Sequence, residues 1–571
     1  MIKKVILASL LAITLFSCGE KNSIEDLKAV GGVRYGGVFR FMSSEKIESL
    51  FPLESTSLYS QRISAQIFET ILKLDENGSK VIPAIAESYS VSPDGKTVTL
   101  IIRKNIFFHP DECLDGEGRE LTADDVKFTL DMACSGLSIN QISFFFKDRI
   151  VGAEEFYNET KKSFKEGGVS GITVEGKNKL VIKLKDAFTG FDNMLTYGCL
   201  GVFPREAYEF YKEEIRKHPV GTGPFMLESY TDKGIKLTRN PNYWAKDQFG
   251  NQLPFLEGIE MSYSENKRSE LQAFRERKID LVLEIPSEEV ENILGSLQEA
   301  QEGKTVKHKV DSKPSFSVTF VGLSQKGIFK DVRIRNAFNH AISRESIVNN
   351  TIQGDGYPVL NGFIPSTPFY PAEQVKGPDY NVSKAQALLA QAGYPNGKGF
   401  PKMTIYVSGN KDAANHLMAK AVASQLKANL NIDLTVTLVS FEKRNEIVGS
   451  GKADMWISGW IADYPDGENF LSIFQGKYAN TGSGFLNPFS YKNPKFDALY
   501  AKVNREIDET KRNQLLVQCD QMIVDDAVVL PLINDDFITM INSRIRDFST
   551  NSLESLNFSK IYIKEPKDAE E

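Results

Sequence analysis

The segment GWIADYPDGENFL, residues 459–471, brings together side chains that can do chemistry. It carries three carboxylates, Asp463, Asp466 and Glu468, beside a tryptophan, a tyrosine and a proline. Carboxylates at this spacing suit an acid/base pair, a metal site, a helix cap or the partner of a cationic ligand group. The rest of the chain has to discriminate among these four kinds of site.

The sequence lacks the motif spacings of the common enzyme classes. The fragment GSGKAD at Gly449 has neither the spacing nor the hydroxyl residue of a phosphate-binding loop. No G-x-S-x-G or H-E-x-x-H motif occurs, and Pro465 stands where a calcium loop needs an oxygen ligand. Asp463 and Asp466 can in principle flank a glycosidic bond, but nothing in the sequence raises the pKa of one of them. These absences argue against an enzyme, and no cofactor is predicted.

Length and composition predict a globular chain of several domains. The 571 residues are 41% hydrophobic and 25% charged, and the length predicts about three domains. The formal net charge of −7 argues against nucleic acid as the main partner.

The N-terminus predicts export. Lys3 and Lys4 precede an apolar stretch, Val5 to Phe16, that is too short to span a bilayer, and LFSC ends at Cys18. LFSC resembles a bacterial lipobox, which implies that residues 1–18 are a lipoprotein signal peptide and that Cys18 is lipidated. Residues 19–32 then form a flexible tether. The alternative is an ordinary signal peptide in which Cys18 is incidental.

Four cysteines follow Cys18, and an exported protein can pair them. Cys113 and Cys134 form the favoured bridge because they flank one loop and helix, whereas Cys199 and Cys519 can equally be buried free thiols. No CxxC unit occurs and the five histidines are isolated from one another, so a structural zinc site is not expected.

Helices alternate with strands along the chain. In VSPDGKTVTLIIR a turn at 93–95 precedes a strand of alternating apolar residues. Thr122 and Asp125 predict a capping box at the start of a helix, and Ser383 to Ala392 predicts an amphipathic helix closed by Gly393. The later run IDLTVTLV alternates apolar and polar residues. These patterns predict an α/β architecture.

Eight stretches together resemble the extracellular solute-binding proteins of family 5, the oligopeptide and dipeptide ABC-transporter family. They cover nearly the whole mature chain in the family's order: IFETILKLDENGSKVIPAIAESYSVSPDGKTVTLIIRKNIFFH, LTADDVKFTL, PVGTGPFMLESY with RNPNYW, ERKIDLV, KDVRIRNAFNHAISRESIV, AQALLAQAGYPNGKGFP, GWIADYPDGENFL and YKNPKFDAL.

The resemblance implies a periplasmic-binding-protein fold of two lobes joined by hinges, with an extra inserted domain. The implied bounds are residues 33–66, 185–283 and 534–571 for the discontinuous first lobe, 67–184 for the inserted domain and 284–533 for the second lobe. Within PVGTGPF, Gly221 and Gly223 are expected to take backbone conformations that other residues resist.

The resemblance also implies where a ligand lies. In peptide-binding relatives the strand before the aspartate pairs with the peptide main chain, which implies backbone hydrogen bonds from Gly459, Trp460 and Ile461. The same resemblance makes Asp463 the anchor of the ligand's ammonium group. The alternative is that Asp463 caps a helix starting near Tyr464.

The other acids and tryptophans of the region have simpler interpretations. Asp466 and Glu468 are expected to favour the dipole of a first helical turn. Trp460 is a candidate wall of the ligand pocket, and Trp456 is a candidate core residue.

The partner of a ligand carboxylate is not apparent. Relatives that bind oligopeptides place basic residues just before this strand, where the present chain has Val448 and Ile457. His416, Lys443 and Arg444 are the candidates, with solvated surface groups as the alternative interpretation.

The resemblance implies a monomeric lipoprotein of the cell envelope that captures short peptides and delivers them to ABC permease subunits, attached to a membrane through its lipid. The alternative keeps the fold and changes the ligand to an oligosaccharide, a metal chelate or haem.

Overall fold

A computed structural model describes residues 29–283, 285–286, 289, 293, 308–411, 413–479, 481–482 and 486–564. The predicted signal peptide, the lipidation residue Cys18 and the tether up to residue 28 lie outside these residues. Among the described residues, no helix combines the length and the apolar character needed to cross a membrane.

The described chain from residue 29 to residue 283 contains eleven strands and seven α-helices. The strands are β1 Val38–Ser43, β2 Leu72–Leu74, β3 Val81–Pro83, β4 Ala86–Val91, β5 Thr97–Ile102, β6 Ile172–Glu175, β7 Lys179–Lys183, β8 Phe225–Thr231, β9 Gly234–Arg239, β10 Gly258–Tyr263 and β11 Leu281–Leu283. The helices are α1 Leu58–Ile67, α2 Ala123–Cys134, α3 Ser143–Phe146, α4 Ala153–Glu159, α5 Phe191–Met194, α6 Arg205–Tyr211 and α7 Lys267–Arg275.

The described chain from residue 308 onward continues the alternation. Its strands are β12 His308–Pro314, β13 Ser317–Leu323, β14 Tyr357–Pro358, β15 Met403–Ser408, β16 Leu434–Val439, β17 Met455–Ile461, β18 Val529–Asn534, β19 Asp536–Asn542, β20 Ile545–Arg546 and β21 Tyr562–Ile563. Its helices are α8 Val332–Ala341, α9 Arg344–Asn350, α10 Val382–Gln391, α11 Ala414–Leu430, α12 Phe441–Gly449, α13 Gly467–Leu471, α14 Pro494–Arg505 and α15 Glu509–Asp525.

Two large mixed sheets form the two lobes. The first lobe is built on a seven-stranded sheet in the order β12-β19-β11-β1-β10-β9-β8, and the second on a six-stranded sheet in the order β14-β18-β13-β17-β15-β16. The six-stranded sheet is covered on both faces, because Val318 and Phe320 of β13 pack into one apolar cluster while Val321 and Leu323 pack into another. The fold is therefore α/β, as the sequence predicts.

A four-stranded antiparallel sheet in the order β4-β5-β7-β6 forms a third unit within the first lobe's sequence. The alternation in β5 buries Val98, Leu100 and Ile102. The capping box between Thr122 and Asp125 at the start of α2 is confirmed. The buried face of β5 and the start of α2 both depend on residues close together in the sequence, which explains why the sequence predicts them.

The chain passes between the lobes twice, at neighbouring points. β12 of the large sheet ends at Pro314 and β13 of the second sheet begins at Ser317, while β18 ends at Asn534 and β19 begins at Asp536. The two passages are joined where the Ser315 amide donates to the Asp535 carbonyl at 2.9 Å. Residues 308–314, predicted for the second lobe, thus pair in the sheet of the first, whereas the other domain bounds stay predictions.

The two glycines of PVGTGPF are needed for a reason that the sequence does not reveal. Neither Gly221 nor Gly223 has a positive φ. A Cβ at Gly221 would lie 2.1 Å from the carbonyl oxygen of Ile67, and a Cβ at Gly223 would lie 2.6 Å from the same oxygen. The expected special backbone conformation is wrong, and the close approach of the end of α1 explains the glycines.

The favoured disulfide between Cys113 and Cys134 is not formed. All four described cysteines are free, with Cys113 half-buried and Cys134, Cys199 and Cys519 buried. Burial raises the pKa of the Cys134 thiol, so it stays protonated in the core.

Candidate ligand-binding cleft

A cleft of about 2160 Å³ lies between the two lobes and is lined by both. The first lobe contributes residues near α1 and β2, including Tyr59, Glu69 and Lys73, and the second lobe contributes the loop after β15, the start of α12 and the end of β17. Gly459, Trp460, Ile461 and Asp463, all predicted as site residues, line this one cleft.

Within the part of the chain that the structure describes, strand β17 has an unpaired edge where it borders the cleft. It pairs along its whole length with β13, but β15 pairs only with Met455 and Trp456. The Ala462 amide donates to Phe316 on the β13 side, and the pleat alternates the direction of backbone groups. Gly459 and Ile461 therefore direct their N–H and C=O groups away from β13, toward the unpaired edge.

Trp460 and Trp456 have different environments. Trp460 is partly exposed in the cleft, and its indole Nε1 donates to Oδ1 of Asn469 at 2.9 Å. Trp456 is buried and stacks on Phe489 with ring centroids 5.6 Å apart. Trp460 therefore lies at the wall of the cleft and Trp456 lies in the core, as the sequence analysis expects for each.

Asp463 presents a carboxylate with no ionic partner within the described chain. Its Oδ2 accepts from Nδ2 of Asn469 at 3.0 Å, and its amide donates to Oδ1 of the same residue at 3.1 Å. Tyr197, from the first lobe, lies close enough to lower the pKa of this carboxylate. Burial raises the pKa of Asp463 to about 6 in spite of Asn469 and Tyr197. The helix-cap alternative does not hold for Asp463, because Asp466 is the N-cap of α13.

Asp466 and Glu468 do more than start a helix. Asp466 accepts from the Glu468 amide at 2.9 Å as a cap, and it also pairs with Arg512 at 2.9 Å. The carboxylate of Glu468 is fully buried and pairs with Arg149 at 2.9 Å. The purely local role predicted for these two acids is therefore incomplete.

The three candidate partners of a ligand carboxylate differ in their burial and in whether they line the cleft. His416 is buried on α11 and is not among the described residues that line the cleft. Lys443 is exposed and pairs with Glu446 at 2.7 Å. Arg444 is buried and lines the cleft.

Sequence reasoning missed two residues that act on Asp463. Asn469 is fully buried on α13 and holds both Trp460 and Asp463, and Tyr197 is buried on the opposite lobe. Asn469 follows Asp463 by six residues in the same motif, so proximity in sequence is a signal that can find it. Tyr197 has no such signal, because only the docking of the lobes brings it to Asp463.

The fold and the cleft define a two-lobed solute-binding protein. The family model described as "Bacterial extracellular solute-binding proteins, family 5 Middle" matches residues 80–482. The chain belongs to this family, whose members bind solutes and are not enzymes.

Similar proteins span most of the chain. The Di/tripeptide-binding protein 3 of Pseudomonas aeruginosa is 24% identical over 85% of this chain and 87% of its own. The glutathione-binding protein GsiB of Salmonella paratyphi A is 25% identical over 88% of this chain and 89% of its own. The periplasmic binding protein DppA of Helicobacter pylori, solved with the peptide STSA, has a TM-score of 0.79 at 24% identity and covers 93% of this chain and 99% of its own.

Proposed function

We propose that the protein captures short peptides in the interlobe cleft and delivers them to the permease of an ABC importer. The observation that carries this proposal is the position of Asp463, a carboxylate without an ionic partner among the described residues, next to the unpaired edge of β17. Relatives with di/tripeptide-binding and glutathione-binding names and a structural neighbour holding a peptide support the same class of ligand.

The unpaired edge suits a ligand that is recognised through its main chain. A peptide added as a further strand receives hydrogen bonds from Gly459 and Ile461 whatever its side chains are. Its ammonium group then pairs with Asp463 inside a cleft with little water, where a charge-assisted hydrogen bond fixes the register. An uncharged oligosaccharide has no group that would neutralise Asp463, which favours peptides over sugars.

The N-terminal sequence supports attachment to a membrane. Lipidation at Cys18 followed by the tether at 19–32 would hold the folded body close to a permease while the lobes remain free to move. We therefore place the protein, as a monomeric lipoprotein, in the cell envelope.

The first experiment identifies the ligand without assuming its class. The full chain is purified gently and analysed by native mass spectrometry, and the bound material is then released and fragmented. A mixture of short peptides is the expected result. A single sugar, metal chelate or haem would overturn the proposal.

The second experiment tests the anchor with the released peptides and their N-acetylated forms. Asp463→Asn is expected to weaken the binding of peptides with a free N-terminus by about 2–5 kcal/mol, because the ammonium group would be buried without its charge partner. Asp454→Asn, an exposed acid before β17 outside the cleft lining, serves as the control and should bind as the parent does. Equal affinity of the parent for free and acetylated peptides would contradict the anchor.

A further inference from the structure

Asp535 places a carboxylate on the wall of the cleft where the chain passes between the lobes. It stands between β18 and β19 and lines the cleft. The hydroxyl of Ser317 donates to its Oδ2 at 2.8 Å, and the hydroxyl of Thr319 donates to the same oxygen at 3.1 Å. Both donors belong to β13 and line the cleft, so the carboxylate is held over β13 on the side of the cleft.

The described chain does not neutralise this carboxylate. No lysine or arginine among the described residues pairs with Asp535. The two hydroxyls supply one proton each, whereas a carboxylate has about four lone-pair sites, so further donors can be accepted. Burial raises the pKa of Asp535, and the neighbouring carboxylate of Asp536 adds to the rise. Oδ1 of Asp536, which also lines the cleft, is buried and accepts no hydrogen bond from the described chain.

Other acids of the chain have different surroundings. Glu554, which also lines the cleft, pairs with Arg62 at 3.2 Å. Asp520 has no cationic partner among the described residues, but it accepts from two backbone amides and from the hydroxyl of Tyr370. Asp520 is also not among the described residues that line the cleft. It shows how a structural carboxylate of this chain is held, and Asp535 differs from it by facing the cleft.

A gap in the side chains of β17 connects its unpaired edge with Asp535. Thr319 of β13 lies directly opposite Gly459 of β17, and directly opposite residues project to the same face of a sheet. Gly459 has no side chain on this face, where a Cβ would lie 3.7 Å from Oγ1 of Thr319. The face is therefore open from the edge of β17 to the residue that holds Asp535.

The distance across this face selects a long side chain. Neighbouring strands are about 4.8 Å apart, so a peptide added to the edge of β17 would lie roughly 10 Å from β13. Lysine and arginine carry their charge at the end of a flexible stem that can lie along such a surface. A peptide residue opposite Gly459 projects its side chain to this face, and the residues before and after it project to the other face.

We propose that Asp535 is a specificity subsite that binds the lysine or arginine side chain of one residue of the bound peptide. This inference rests on the proposed function and adds a preference among peptides that main-chain contacts with β17 do not provide. The subsite acts at the ligand position opposite Gly459. Peptides with a neutral or acidic side chain at that position are expected to bind more weakly.

The test moves a single lysine through pentaalanine and compares each peptide with its Nε-acetyl-lysine form by calorimetry on the full chain. Acetylation removes the charge of the side chain and keeps its stem. At one position the parent is expected to bind the free lysine about tenfold more tightly than the acetylated one, because only the free form makes a charge-assisted hydrogen bond. At the adjacent positions the two forms are expected to bind alike.

Two variants assign the preference to its residue. In Asp535→Asn the ratio of free to acetylated lysine is expected to fall to about one at the preferred position. Glu442→Gln removes an exposed acid of α12 that lines the same cleft, and it should keep the parent's ratio. The scan of the parent needs no variant, so it remains decisive even if Asp535→Asn does not fold.

The outcomes separate this inference from the proposed function. If pentaalanine binds but free and acetylated lysine bind alike at every position, Asp535 is not a cation subsite and peptide capture stands. A preference that persists unchanged in Asp535→Asn would also overturn the assignment. If the parent binds none of these peptides and none of those released from the purified protein, the proposed function itself fails.

Discussion

At the residue scale, we expect Asp463 to make ligand binding depend on pH in one direction. Its pKa is raised to about 6 by burial, so without ligand it is ionised above this pH and neutral below it. An ammonium group requires the ionised form. Affinity for a free peptide is therefore expected to be nearly constant above pH 7 and to fall by up to about tenfold per pH unit below pH 6, as titration calorimetry can measure.

Two controls isolate Asp463 from other acids that titrate in this range. N-acetylated peptides lack the ammonium group and should show no such loss, and Asp463→Asn should remove the slope for free peptides. A slope that persists in Asp463→Asn would assign the pH dependence to another group.

The sequence predicts which residues line the cleft better than it predicts which distant residues hold them in place. The family resemblance points to Asp463 and the strand before it, and both line the cleft. The sequence does not reveal the ion pair of Glu468, because its partner Arg149 is 319 residues away. The long-range contacts of an acid cannot be inferred from its neighbours in sequence.

At the element scale, we expect β17 to contribute separately to stability and to ligand binding, and glycine substitutions can distinguish the two contributions. A Cβ at Gly459 would lie 3.7 Å from Oγ1 of Thr319, an ordinary contact, and Gly459 is exposed in the cleft. Gly459→Ala is expected to leave stability within about 0.5 kcal/mol of the parent. Peptide affinity should fall by about 1–3 kcal/mol, because the added methyl group stands on the face of the strand that lines the cleft and takes the space of a ligand side chain.

A glycine on the paired strand provides the matched control. A Cβ at Gly322 of β13 would lie 2.3 Å from Cε2 of the buried Trp456. Gly322→Ala should therefore lower the unfolding free energy by about 1–3 kcal/mol. Thermal unfolding and calorimetry on both variants measure the contrast. Unchanged peptide affinity in Gly459→Ala would show that the ligand does not fill the space above Gly459 on this face of β17.

Local elements follow from the sequence, but their arrangement in sheets does not. The cap at Thr122 and the amphipathic face of α10 depend on residues within one turn or two, and both are predicted. The unpaired edge of β17 depends on β15 pairing only with Met455 and Trp456. This offset is a property of two strands distant in sequence, so no pattern within either strand predicts it.

At the scale of the whole molecule, an ion pair joins the unit that contains the four-stranded sheet to the second lobe. Arg149 follows α3, and its guanidinium pairs with the fully buried Glu468 at 2.9 Å. Glu468 also accepts from the hydroxyls of Tyr464, at 2.7 Å, and Tyr500. The contact links the two sides of the molecule next to the helix that positions Asp463.

Replacing Arg149 by Met is therefore expected to weaken the docking of the two sides. Removal of one partner of a buried pair costs about 3–5 kcal/mol, because the other charge is left uncompensated. The two tyrosine hydroxyls still donate to Glu468, which places the expected loss at the lower end of this range. Peptide affinity should fall accordingly. In the presence of ligand, small-angle scattering should show a larger radius of gyration for the variant than for the parent.

Arg505→Met is the matched control for this interface. Arg505 on α14 pairs with Asp186 at 2.9 Å, but the two side chains are 62% and 55% exposed. Water and salt screen such a pair, so its removal is expected to change affinity and scattering little. If both variants behave alike, whether both are neutral or both are impaired, burial of the Arg149–Glu468 pair does not determine how the two sides dock.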